Sequence, residues 1–428
     1  MSFRAETCES SSCRFWRADK HVAKAPKFIL ATEYYPPDSS TTATYLGAIA
    51  RAIAQDMTTI VLSGTPGSDK LKAIGQSTVE VIEIANWRPP KHALAKRLIA
   101  STMLAIRLFW AVYRWARSGD VVMSVTSPFT LPYAITLAAR LRGAKTVLLI
   151  FDLYPEALIA AGLTRQTSVV ARALRLANGW LFKSLNAIFV IGRDVAPLLL
   201  RYPRVRADVI HFVPNWTLLP IGFRPPDEEN RLRSLSSSKF LVGLCGNLGF
   251  THAPRTIFEA ARLLRKQKGI HFVLSGWGVG WTELKTLQAS ENLENVTLLD
   301  PVPEEQLAEF LTAADAWVIP YRRNVAGVSI PSRLYNFLAV GRAVIVGTEP
   351  GSEAGLAVAE ENIGWVVPAE DAAAFAQAIS EAAADRTATL ERGRRAAIAA
   401  LKYTEQASTL RYRDIVRHLC AEEETNPN

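Results

Sequence analysis

The chain has 428 residues, 49% of them hydrophobic and 21% charged, so it is too long for one ordinary domain and too apolar to stay disordered. Its formal net charge of +9 is unevenly placed: residues 1–220 hold 27 Lys and Arg against 14 Asp and Glu, and the remainder is slightly acidic. Cys8, Cys13, Cys245 and Cys420 show neither paired metal spacing nor the density of a disulfide scaffold, which points to reduced thiols in a reducing compartment.

Residues 1–25 read as a polar tail, carrying Arg4, Glu6, Glu9, Arg14 and Arg17 without the apolar run of a secretory leader. From 26 to 218 short apolar strands are expected at KFILATEYYPP, TTIVLSG, VEVIEIA, DVVMSVTS, KTVLLIFD, NAIFVIG and ADVIHFVPN. Helical patterns lie between them, among others over 91–117, 131–142 and 166–184. Residues 219–239 mix prolines, charges and serines without periodicity and read as a linker. The pattern restarts over 240–400 with FLVGLCGN, HFVLSG, NVTLLD, AWVIP, AVIVG and WVVP. Helices are expected there over 254–268, 281–290, 304–313, 331–340 and 370–384. A last helical stretch over about 386–420 is long enough to cross back over the first domain, so 401–428 is taken as that crossing helix and a tail. The fold class is α/β, with two doubly wound, Rossmann-like domains whose parallel strands are covered on both faces. Such sheets bind ligands outside their C-terminal strand ends, here facing a cleft. No apolar stretch reaches the ~20 residues of a bilayer span, since 98–113 is interrupted by Arg107, and the body is expected to be cytoplasmic.

In FLVGLCGNLGFTHAPRTIFEAARLL a buried strand ends at Gly246-Asn247-Leu248-Gly249 and a helix starts near Pro254. Glycines let a backbone approach a ligand, and a helix N-terminus offers free N–H groups to phosphate, although the same glycines would serve any strand-to-helix turn. Arg255 could add charge. One unit further, HFVLSGWGVGWTELK places Gly276, Gly278 and Gly280 at an equivalent turn, a weak signal alone. In SIPSRLYNFLAVGRAVIVG a helix starts at Pro331-Ser332-Arg333, with Arg333 in a first turn where the dipole prefers acids. A cation there makes sense when an anion binds beside it. In the first half, Asp152 ends the strand LLIFD and Glu156 follows on the next turn, where a carboxylate can deprotonate a hydroxyl or cap a helix. Ser40, Thr41 and Thr42 precede a helix and could meet a ligand or form a plain capping turn.

Taken in order, these segments resemble glycosyltransferase family 4, retaining enzymes of the GT-B fold, and among them the bacterial surface-polysaccharide type that adds N-acetylfucosamine. The likeness runs from KFILATEYYPP to NIGWVVPAED and is most specific in GNLG, LDPVPEEQLAEFLTAADAWVIP and PSRLYNFLAVGRAVI. It implies an acceptor-binding first domain and a second domain that binds a nucleotide-diphosphate sugar. Gly246, Asn247 and Gly249 would lie against the donor pyrophosphate, Arg333 would offset its charge, and Pro301-Val302-Pro303 would frame the base. Ser39 to Thr42 stand in place of the family's N-terminal glycine pair. The family's two glutamates, spaced E-x7-E, fall here on Val328 and Asn336; Asn336 keeps the capacity to bond a ribose hydroxyl. Arg255, Gly276, Gly278 and Ser332 complete the candidate donor site, and Asp152, Arg333 and Glu156 are the catalytic candidates.

Neither D-x-D nor a ligand-spaced cluster is visible, so no metal or cofactor is expected, and N–H groups, a helix dipole and Arg333 are left to meet the diphosphate charge. The implied acceptor is a glycan or a polyprenyl-diphosphate-linked saccharide. Residues 88–117 carry seven Arg or Lys and no acid, with Trp110, Tyr113 and Trp115 among aliphatic residues. They suit an anionic membrane surface, or a helix packed on the sheet with its arginines reaching outward. A nucleotide-sugar epimerase of the same fold and a degenerate sugar-nucleotide-binding subunit remain open alternatives. No nucleic-acid-binding module is visible.

Overall fold

The computed structural model describes residues 25–70, 79–90, 93–226, 230–234 and 240–421; Cys8, Cys13, nearly all of the expected N-terminal tail, parts of the expected linker and the last seven residues lie outside them. The first domain is a parallel sheet of β1 (Phe28–Thr32), β2 (Thr59–Ser63), β3 (Val79–Glu83), β4 (Val121–Val125), β5 (Lys145–Ile150), β6 (Ala187–Val190) and β7 (Ile210–Phe212), in the order β3-β2-β1-β4-β5-β6-β7. The second holds β8 (Phe240–Asn247), β9 (Ile270–Trp277), β10 (Val296–Leu299), β11 (Ala316–Pro320), β12 (Ala343–Gly347) and β13 (Gly364–Val367), in the order β10-β9-β8-β11-β12-β13. All thirteen expected strands are present. In each sheet the order reverses beside the domain's first strand, between β1 and β4 and between β8 and β11. Connections leave those points in opposite directions and open a crevice at the C-terminal strand ends.

Side-chain alternation divides each strand between two cores. In β1, Phe28 and Leu30 join the helices Thr41–Ile53 and Glu405–Ala421, whereas Ile29 and Ala31 face Leu94–Trp115 and Leu131–Leu141. The helix Val169–Lys183 lies in the same layer as those two, packing Leu181 and Phe182 on β5 and β6. In the second domain Val242 and Leu244 face the helices Pro254–Leu263 and Ala372–Ala384, and Leu241 and Cys245 face the opposite layer.

Among the elements of eight or more residues, two differ from the sequence reading. The last helical stretch is two helices, Arg386–Ala400 and Glu405–Ala421, separated by a turn where the chain returns to the first domain. There Thr217 donates its N–H to the Tyr403 carbonyl (3.2 Å), so both crossings lie side by side. A helix at Glu353–Glu360, capped by Ser352, joins β12 to β13 where no helix was expected. Parallel neighbours need such a crossover.

The strand ends of the two sheets meet across the cleft. Leu153, just after β5, donates its N–H to the Val328 carbonyl (3.2 Å). Asp194, after β6, accepts from the N–H of Gly327 (2.7 Å) and of Glu353 (3.0 Å). Arg193 beside it pairs with Glu353 (2.9 Å) and Glu360 (3.0 Å).

Candidate functional site

At the end of β8, Gly246 adopts φ +105°, a conformation glycine alone takes without strain, and it turns the chain towards the helix Pro254–Leu263. A Cβ at Gly276 would lie 2.5 Å from the Gly246 carbonyl oxygen, and one at Gly278 would lie 2.7 Å from Asn247 Oδ1. The two glycines of the β9 turn are thus a floor that lets the Gly246–Gly249 loop settle, and their bearing on a donor runs through that loop. Leu248 donates to the Trp277 carbonyl (2.8 Å) and His252 to the Gly249 carbonyl (3.1 Å). Among the described residues, the N–H groups of Gly249, Phe250 and Thr251 between them find no acceptor within the protein. Consecutive N–H groups without a protein acceptor, ahead of an uncapped helix, suit an anion.

Arg333 reaches the same loop from the start of the helix Arg333–Ala339. Its guanidinium donates to the carbonyls of Cys245 (2.7 Å) and Asn247 and approaches Nε2 of His252 (3.3 Å). Among the described residues it has no carboxylate within ion-pair distance. A guanidinium offers five N–H donors, so donors remain for a ligand. Burial pushes the Arg333 pKa down, but an arginine stays charged. His252 is held neutral: burial first, and the Arg333 charge second, push its pKa well below the ordinary histidine range. It stacks on Tyr321 (centroids 5.1 Å apart), whose buried hydroxyl has no partner among the described residues. The result is a cation without a counter-ion among the described residues, beside a neutral ring and N–H groups that find no acceptor among them.

The other candidates fall into three groups. Arg255 is exposed and already paired with Glu283 (2.7 Å), and Glu156 is paired with Arg175 (3.3 Å), so each charge has a partner. Ser40 caps the helix Thr41–Ile53, accepting from the Ala43 N–H (3.3 Å), while Thr41 and Thr42 are half-buried in its first turn. Asn336 turns its Oδ1 to the Leu218 N–H (3.2 Å), at the crossing between domains, and Ser332 precedes the Arg333 helix without capping it. Val328, at the place of the family's first glutamate, is buried in the second domain's core.

Asp152 lies just after β5, beside Ser329. Burial raises its carboxyl above the ordinary aspartate range, with the Ser329 hydrogen bond opposing. Asp152, Asp194 and Arg333 all lie within electrostatic reach of Tyr321. Sequence reasoning missed His252, Tyr321 and Asp194; only the fold brings them from three loops to one place. No group of three or more His, Cys, Asp or Glu among the described residues is arranged to hold a metal ion.

Two facing Rossmann-like domains, with an anion-receptive turn in the second, are the GT-B architecture. The solved structure of HepE from Anabaena with UDP-glucose has this fold, at TM-score 0.68 and 14% identity over 91% of this chain and 99% of that one. The family model for glycosyl transferases group 1 matches residues 239–385, and the glycosyl transferase 4-like domain model matches residues 40–216. The chain belongs to this glycosyltransferase family. It is 27% identical, over 69% of its length and 74% of the relative's, to a protein of Pseudomonas aeruginosa named as the probable glycosyltransferase WbjE. A protein of Escherichia coli (strain K12) bearing the name colanic acid biosynthesis glycosyl transferase WcaI, a role its name marks as provisional, is 26% identical over 63% of this chain and 69% of that one.

Proposed function

We propose that this glycosyltransferase moves a hexosyl or N-acetylhexosaminyl group from a nucleotide-diphosphate sugar to a glycan or polyprenyl-diphosphate-linked acceptor. It acts with retention at the anomeric carbon and without a metal, in surface polysaccharide biosynthesis at the inner face of the plasma membrane. One observation carries the donor half of this reading: the Arg333 guanidinium, bound to backbone carbonyls and without a counter-ion among the described residues, beside N–H groups of residues 249–251 that find no acceptor among them. Those donors stabilise charge as it builds on the departing diphosphate, in a site whose geometry is set beforehand. The likeness in fold to a solved protein described in complex with UDP-glucose supports a nucleotide-sugar donor, and the name of the E. coli relative supports polysaccharide synthesis.

Asp152 supplies the acceptor half. Its raised pKa makes the ionised carboxylate a stronger base than an exposed aspartate. As the acceptor oxygen bonds to the anomeric carbon, the bond from that carbon to the diphosphate oxygen breaks. The acceptor proton passes to Asp152 or to the leaving oxygen, and a nucleoside diphosphate departs. The test is turnover of UDP-, GDP- and ADP-sugars with a lipid-linked saccharide, with and without EDTA, reading the product's anomeric configuration by NMR. Transfer with retained configuration and no loss in EDTA supports the reading. Interconversion of the donor without acceptor would identify the epimerase instead.

A further inference from the structure

The helix Leu94–Trp115 is apolar on two sides. Ala100, Leu104, Leu108 and Val112 are buried on the sheet, while Ile99, Met103, Ile106, Trp110 and Tyr113 form a second stripe, at spacings of four and three residues, facing solvent. Ile106 is 54% exposed and Trp110 62%. The neighbouring helices repeat the feature, with Leu137 and Leu141 exposed on Leu131–Leu141, and Val170 and Leu176 on Val169–Lys183. More than half of the exposed large apolar side chains among the described residues lie on these three helices, so the patch is concentrated and not scattered. The opposite layer of the same sheet is closed by Thr41–Ile53 and Glu405–Ala421.

The charge of this layer is one-signed. The three helices contain eight Lys and Arg and no Asp or Glu. Lys96, Arg97, Arg107 and Arg114 are exposed on the first helix, and among the described residues none of the four forms an ion pair with a carboxylate. A second copy docking through the same stripe would set these cations against their own images, and like charges at close range repel. A surface of anionic headgroups instead supplies counter-charge to the cations and acyl chains to the stripe. The layer also borders the cleft: Arg97 lies within electrostatic reach of Glu33, Tyr34 and Tyr154, on the loops after β1 and β5.

We propose that the solvent face of the helices Leu94–Trp115, Leu131–Leu141 and Val169–Lys183 docks on an anionic lipid bilayer, with Ile106 and Trp110 entering the headgroup layer and the cleft mouth held at the surface. The sequence reading considered the first helix alone; the fold adds two more and puts a sheet-packed stripe and a solvent-exposed apolar stripe on opposite sides of the first. The proposal does not depend on the transfer reaction, because docking is measured without donor or acceptor.

The experiment is co-sedimentation of the full chain with vesicles of phosphatidylcholine alone or mixed with phosphatidylglycerol, over a series of salt concentrations. Binding to the anionic vesicles, weakened by salt and at least tenfold stronger than to phosphatidylcholine, is expected. Ile106→Glu/Trp110→Glu should cut it at least tenfold and leave the thermal melt unchanged, since both side chains face solvent. Lys96→Gln/Arg114→Gln should weaken it and flatten its salt dependence. Absence of binding to anionic vesicles at low salt overturns the proposal, as does full binding by the Ile106→Glu/Trp110→Glu variant. A wild-type dimer in sedimentation velocity that this variant converts to monomer would assign the face to a second copy and also overturn it.

Discussion

Replacing Arg333 by alanine isolates the charge that the donor site depends on. The guanidinium spends donors on the carbonyls of Cys245 and Asn247 and on His252, leaving its Nε hydrogen and one other to face a diphosphate. Two charge-assisted hydrogen bonds at about 1.5–3 kcal/mol each give roughly 3–6 kcal/mol. The lower end applies, because water entering the vacated space will hydrate the phosphate in part. A loss of about 3 kcal/mol corresponds to roughly a 150-fold rise in Kd. Calorimetry with UDP, GDP and ADP, each beside its free nucleoside, reads this directly. Arg333→Ala should weaken the diphosphate that binds wild type and leave its nucleoside within about twofold. Arg333→Lys should fall between, since lysine keeps the charge and loses the fork. EDTA should change nothing in either protein. Unchanged diphosphate affinity in a folded Arg333→Ala protein would refute the reasoning and reduce Arg333 to a brace for the β8 loop. An equal loss for nucleoside and diphosphate would do the same.

Three further outcomes follow from the geometry. Asp152→Asn should slow transfer by about 10²–10⁴-fold if the carboxylate takes the acceptor proton. It should also raise thermal stability at neutral pH: a carboxyl whose pKa rises on folding costs stability wherever it is ionised, so the gain should fade as pH falls through the raised folded value and be gone below about 3.9, where folded and unfolded chains are both protonated. Gly276→Ala puts a Cβ 2.5 Å from the Gly246 carbonyl oxygen; a cost of about 1–3 kcal/mol in denaturant melts and weaker diphosphate binding are expected together. Arg193→Ala leaves the buried Glu353 carboxylate without its main cation, and because Arg193 is itself partly exposed the expected loss is about 2–3 kcal/mol, less in Glu353→Gln. Small-angle scattering should show a more open average for Arg193→Ala.

The strands were readable because they are short apolar runs set off by turn residues, as in FLVGLCGN and AWVIP, and burial on both faces of a parallel sheet leaves that composition little freedom. The helix Glu353–Glu360 was not readable: EAGLAVAE is small-residue and apolar on most sides, so it has no polar face to set a period. Nor did any glycine or proline mark the break after Ala400, where the cause is the return to the other domain. Arg333 stood out as a cation in a first helical turn, a local anomaly visible in one dimension. Asp194 did not, because its meaning lies in the N–H groups of Gly327 and Glu353, more than 130 residues away. Ser40 was ambiguous in the sequence, and its hydroxyl is spent on the helix cap.

The helix Glu405–Ala421 completes the core of a domain whose other elements end near residue 217. During synthesis the groove lined by Leu46, Ile49 and Phe189 therefore emerges from the ribosome long before Tyr412 and Val416 exist to cover it. At about 5–20 residues per second, the roughly 200 intervening residues leave that groove open for on the order of 10–40 s. The first domain is thus made first and finished last, and the second must fold while its neighbour still shows an uncovered apolar face, a natural point for a chaperone to hold the nascent chain.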